Sequence, residues 1–365
     1  MYMYALKYAG TGKASIIMNH KEACKVISFI LIFLLLLTGV SYIVRTNGDI
    51  KNRFAGFYAE EKDSIDVLMF GGSTIGTSFS PGYMWGEYGF TSYPLSSNTQ
   101  RPKAIKYLLE EAYKYQKPEL VVIELRMFTY EDEVLKKDEP HIREVTDNMR
   151  YSMHRVKTVH DLTDGVENFE DKLSYYFDIM KYHSNWGMFL KPEEWRKVTY
   201  SKKDLHKGFE HSENILYHDE EYDRYISTEE RAAIPKEQEA ELYNLMDFLK
   251  KNNQEALFVV TPCIYGVEYY AQMNYMKDIV EHEGFRYLNV HEYVDYDCAT
   301  DYLDGGHSNI LGAKKCSELL GKTISQEYGL ADKRKQEGFE SWDKSYDAFL
   351  EIYNEVNNNK EKYTL

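Results

Sequence analysis

A chain of 365 residues with 43% hydrophobic side chains has enough apolar surface for one large or two modest cores and is not a disordered polymer. Its formal net charge of −15, with no concentrated run of Lys and Arg, argues against nucleic acid as a partner, because a phosphate backbone is gripped by clustered cations. Four cysteines, Cys24, Cys263, Cys298 and Cys316, form no C-x-x-C pair and have no companion His spacing, so neither a zinc site nor any other cofactor is expected, and no disulfide pairing is assigned.

In chain order, residues 1–25 are polar and aperiodic and read as a cytoplasmic tail. From Val26 to Val44 the chain runs VISFILIFLLLLTGVSYIV, nineteen residues without a charge, bracketed by Lys25 and Arg45 and long enough to cross a bilayer core. A cleaved signal peptide is the competing reading, but the run is longer than a usual signal core and Ser41-Tyr42-Ile43-Val44 is too bulky for a cleavage site, which favours an uncleaved anchor. Lys7, Lys13, Lys21 and Lys25 precede the span against Glu22 alone, so the positive-inside rule places the N-terminus in the cytoplasm and the body outside.

Residues 45–64 read as a polar connector. The body, 65–330, alternates short apolar runs with helical patterns. Strands are predicted at Val67 to Phe70, Thr91 to Leu95, Leu120 to Leu125, Leu257 to Thr261 and Phe285 to Val290, each bounded by Gly, Pro, Asn or charge. Helices are predicted over Pro102 to Tyr115, Lys236 to Lys251, Tyr269 to Glu283 and Ile310 to Tyr328. Strands separated by helices need right-handed crossovers, so the expected fold is α/β, a three-layer α/β/α sandwich around a parallel sheet of about five strands, doubly wound in the flavodoxin-like manner. Residues 127–235 interrupt this rhythm and read as an inserted helical lid, with a helical patch at Asp171 to Tyr182. The tail, 331–365, shows Trp342, Tyr346, Phe349 and Tyr353 at helical spacing, a face suited to packing on the body.

Chemistry concentrates at two glycine-flanked segments. Gly71-Gly72-Ser73 follows the first strand, and a serine there has its hydroxyl at the strand's carboxyl end, near helix N–H groups that favour developing negative charge. Gly71 and Gly72 permit a tight turn and leave room for a carbonyl to approach the Ser73 N–H. Far downstream, Asp304-Gly305-Gly306-His307 supplies a base with an aspartate placed to hold its tautomer, and Ser308 or Asn309 is positioned to cap the following helix. The strand-helix order of the two segments favours catalysis over two structural turns. Asn98, at the end of the second strand, is a candidate oxyanion donor or a turn former. Arg126 is suited to an anionic substrate group or a carboxylate in the site, or to a loop salt bridge. Tyr182, His183 and Trp186 are suited to stacking on a sugar ring or to a small core of the insertion.

The segments VLMFGGSTIG and DGGHSNILGA resemble the first and last blocks of the GDSL/SGNH hydrolase superfamily. TSYPLSSNTQ and KPELVVIEL resemble its membrane-anchored extracytoplasmic branch, found with systems that esterify cell-surface polymers. The resemblance spans about Ile65 to Tyr328 and implies Ser73 as nucleophile, His307 as general base and Asp304 as its orienter. It further implies an esterase or O-acyltransferase acting on acyl, chiefly acetyl, esters of a cell-envelope or secreted glycan, with a membrane-bound acyltransferase as partner. The pattern departs at three places: Gly72 stands where an acidic residue is usual, Ser96-Ser97-Asn98 replaces the second-block glycine, and no Gly-x-Asn-Asp follows the third strand. Those departures motivate the alternative of a noncatalytic glycan-binding or assembly protein.

Overall fold

The computed structural model describes residues 19–45, 48–218, 225 and 227–365. Most of the expected tail, with Lys7 and Lys13, and residues 219–224 and 226 of the insertion lie outside them. The apolar run forms helix α1 (His20–Val44), opened by a capping box in which Asn19 accepts from the Glu22 N–H and Glu22 reaches back to the Asn19 N–H. It is the one described helix long and apolar enough to cross a membrane, with a mean hydropathy of 2.6. The expected connector is not a loop. It carries α2 (Gly48–Ala59), whose Ile50, Phe54, Phe57 and Tyr58 sit at helical spacing and enter the core.

Strand β1 (Val67–Phe70) leads into α3 (Ser73–Ser78) and α4 (Pro81–Tyr88); β2 (Ser92–Pro94), α5 (Pro102–Ala112) and β3 (Leu120–Glu124) follow. The insertion after β3 is a string of short helices: α6 (Asp132–Leu135), α7 (Glu139–Thr146), α8 (Met153–Leu162), α9 (Phe169–Tyr176), α10 (Ile179–Tyr182) and α11 (Pro192–Val198). The single patch predicted at Asp171 to Tyr182 is broken at Phe177. The break turns Asp178 inward to a fully buried site where Arg45, Arg155 and Tyr151 donate to it. The rhythm then resumes with α12 (Lys236–Lys251), β4 (Glu255–Val260), α13 (Val267–His282), β5 (Arg286–Asn289), the hairpin β6 (Tyr302–Asp304) and β7 (His307–Ser308), α14 (Ile310–Glu327), α15 (Glu340–Asn358) and α16 (Lys360–Tyr363).

β1 to β5 form one parallel sheet in the order β2-β1-β3-β4-β5. All five were predicted, with edges shifted by a residue or two. Side chains alternate across the sheet: Val67 and Met69 pack with Ile75, Met84 and Leu320 on one side, and Leu68 and Phe70 with Leu108, Leu109 and Met246 on the other. The order reverses direction between β1 and β3, and the carboxyl ends of strands at such a switch point are where open α/β sheets bind ligands. Gly71 and Arg126 follow those two ends.

The tail does pack on the body. α15 lies against α4 and α14, with the fully buried Trp342 beside Trp85 at 6.1 Å between ring centroids and Phe349 beside Tyr83 at 5.3 Å. The insertion, for its part, closes around the C-terminal end of α1. Ser41 to Arg45 are buried against it, and Lys51 donates to the carbonyls of Ile43 and Arg45 and to Glu194 of α11 at 2.6 Å. Breaking a buried ion pair of this kind costs about 3–5 kcal/mol.

Candidate active site

β1 ends at Phe70, paired with Ile123, which sets Gly71 beside Glu124. A Cβ on Gly71 would lie 2.7 Å from the Glu124 Cβ and 2.9 Å from Ile75, so no other residue fits the turn. Gly72 is then the N-cap of α3 and Ser73 its first residue. The Gly72 cap brings no side chain of its own, and the first N–H groups of the helix, Ser73 and Thr74, have no intrahelical acceptor.

Asp304 and His307 face each other across the β6–β7 hairpin. Ser73 Oγ lies 2.6 Å from His307 Nε2, although the two residues are 234 positions apart. His307 Nδ1 lies 2.8 and 2.9 Å from the two oxygens of Asp304. An ionised carboxylate only accepts, so Nδ1 carries the proton and Nε2 is free to accept the serine hydroxyl. Partial burial pushes the Asp304 carboxyl up, but the bonds from His307 and from the Gly306 N–H outweigh it and hold its pKa below the ordinary value. Ser73 and His307 remain partly exposed, so a substrate can reach them.

The other predicted residues have different places. Arg126 makes no ion pair among the described residues, contrary to the salt-bridge reading, and meets no carboxylate through its guanidinium. The guanidinium instead donates to the Gly306 carbonyl at 2.8 Å and to the Tyr265 hydroxyl, and so holds the hairpin that carries Asp304 and His307. A Cβ on Gly306 would lie 2.6 Å from the guanidinium, which would have to shift to admit it. Asn98 donates from its N–H and its Nδ2 to Glu144 of the insertion, at 2.7 and 3.1 Å, which occupies one of its two amide hydrogens. Tyr182, His183 and Trp186 do not gather: Tyr182 is buried and donates to Asp147, His183 is exposed, and Trp186 stacks on Phe189 beside the end of α1. Asn309 caps α14, accepting from the Leu311 and Gly312 N–H groups, while its amide donates to the Thr300 and Tyr302 carbonyls.

Several supporting groups had no motif to reveal them. Glu124 is fully buried beneath Gly71; burial raises its pKa to about 7 even though Arg126 opposes the shift. Arg53, from the supposed connector, donates to the carbonyls of Ser96 and Gly208 and lies against Gly76 of α3. The Ser78 and Ser308 hydroxyls meet at 2.9 Å and tie the serine helix to the histidine hairpin. Compared with known proteins, the chain matches no protein-family model and no curated protein, so a reading of this site rests on its own geometry.

Proposed function

We propose that the chain is a membrane-anchored extracytoplasmic serine esterase or O-acyltransferase, acting on acyl, chiefly acetyl, esters of a cell-surface or secreted glycan. The carrying observation is the hydrogen-bonded series Ser73, His307, Asp304 at the carboxyl edge of a parallel sheet. Ser73 Oγ attacks the ester carbonyl while His307 Nε2 takes its proton; the oxyanion is met by the helix N–H groups; the proton then passes to the leaving sugar oxygen as the ester bond breaks. The acyl-enzyme is discharged by water or by a second sugar hydroxyl, again deprotonated by His307. Which acceptor enters decides hydrolase or transferase, and resemblance to the polymer-modifying branch favours transfer with acyl groups delivered by a membrane-bound acyltransferase.

The strand order and the core clusters on its two faces support a three-layer sandwich of SGNH type, and the lysines before the apolar run support an N-terminus in the cytoplasm. A fluorophosphonate probe tests the reading on the detergent-solubilised chain. The wild type is expected to label, S73A not at all, and D304N to hydrolyse p-nitrophenyl acetate on the order of 10³–10⁴-fold more slowly, since the imidazole loses its held tautomer. Failure of the folded wild type to label would overturn it and favour a noncatalytic glycan binder, the reading to which the engagement of Asn98 by Glu144 lends weight.

A further inference from the structure

We infer that the stretch of the insertion from Phe177 to Lys203 is seated in the lipid headgroup and outer acyl region of the bilayer that α1 crosses. The inference depends on α1 spanning a membrane and is independent of the catalytic reading.

The argument begins with length. Within α1, Val26 to Leu36 are exposed all round, Leu37 to Val40 are half-covered and Ser41 to Val44 are buried by protein. Eleven exposed residues at 1.5 Å each cover about 16 Å, whereas a hydrocarbon core is about 30 Å thick. The polar stretch before Lys25 cannot supply the difference, so the membrane must extend up the helix to the level of Val44. The protein packed around that level therefore sits inside the outer leaflet. It is made of α10, α11 and the 3-10 turn Trp186–Leu190, all of which pack on α1.

Side chains on these elements match that depth. Trp186 is 58% exposed, Leu190 86% and Trp195 51%, and Phe189 joins the two indoles with ring centroids 5.6 Å from each. Such a patch is costly in water and suited to the membrane interface, where tryptophan collects. From Phe177 to Lys203 six Lys and Arg stand against Asp178, Glu193 and Glu194, in a chain whose net charge is −15, and Lys191, Arg196 and Lys202 are exposed to meet phospholipid phosphates. The depth is also fixed rigidly: Asn185 donates to the Val44 carbonyl at 3.1 Å, Lys51 bonds Glu194, and Arg45 bonds Asp178.

The chain has four tryptophans, and the other two, Trp85 and Trp342, are buried. Contact quenching of tryptophan fluorescence in the full chain, one copy per phosphatidylcholine nanodisc, therefore reports on Trp186 and Trp195. The expected result is quenching by lipid brominated in its acyl chains, weak quenching by aqueous iodide, and loss of the lipid quenching in W186F/W195F, whose fold is checked by circular dichroism. Ready iodide quenching with none from brominated lipid overturns the inference and leaves the patch to a second copy or another protein. A chain that does not remain with the discs overturns it as well.

Discussion

Glu124 is a carboxylate closed away from water beneath the turn that presents Ser73, with the Arg126 N–H donating to it at 2.9 Å. Its folded pKa of about 7 exceeds the ordinary 4.5, so the folded state holds a proton that the unfolded chain releases earlier. Stability is then greatest below about pH 4.5 with respect to this group, and declines as pH rises toward about 7, by on the order of 3 kcal/mol in all. E124Q is expected to flatten that slope, read as urea midpoints for variant and wild type at about pH 5 and about pH 8. Ser73, Asp304 and His307 were legible because each lies in a glycine-marked segment whose spacing fits one chemistry. Glu124 and Arg53 were not: one reads as the end of a strand and the other as part of a polar connector, and only the pairing of β1 with β3 and the docking of α2 give them their places.

The hairpin β6–β7 and the turn after β1 are held in mutual register by contacts that neither segment contains. Arg126 grips the Gly306 carbonyl, Ser78 meets Ser308, and Asn309 fixes the start of α14. G306A is expected to drive the guanidinium off its seat and lower the proposed esterase activity about 10-fold or more, as small displacements of reacting groups do. In an R126A background the added methyl meets empty space, so the same change is expected to cost less, and a double-mutant cycle on p-nitrophenyl acetate measures the difference. Helices with a clear apolar stripe, such as α12 and α14, were read almost to the residue. α2 carries such a stripe too, but Lys51 and Arg53 disguise it; Lys51 is paired with Glu194, and Arg53 with Glu210 and the carbonyls of Ser96 and Gly208, contacts invisible in a one-dimensional pattern. The insertion was readable as helical and no further, because its helices are short, with one or two turns of apolar stripe each (Ile142 and Val145, Val159 and Leu162), and the rest of its order comes from buried ion pairs such as Arg155 with Asp178.

At the scale of the whole molecule, α1 is part of the fold and not merely joined to it. A chain begun at Gly48 loses Tyr42, Ile43 and Val44 from their buried sites and deprives Asp178 of Arg45. Relative to the full chain in the same detergent, it is expected to be less stable by about 3 kcal/mol or more, measured by denaturant unfolding followed by circular dichroism. Arg155 still faces Asp178 at 2.7 Å, so the truncated body should weaken rather than fail to fold. The clasp between Arg45, Lys51 and the insertion has a wider consequence. Because Arg45, Lys51 and the insertion are clasped together, the Ser73 hydroxyl is held at one set height relative to α1; on the proposed function, a polymer would have to be brought down to it, as strands newly emerging from an export machine would be, while material deposited farther out would stay beyond its reach.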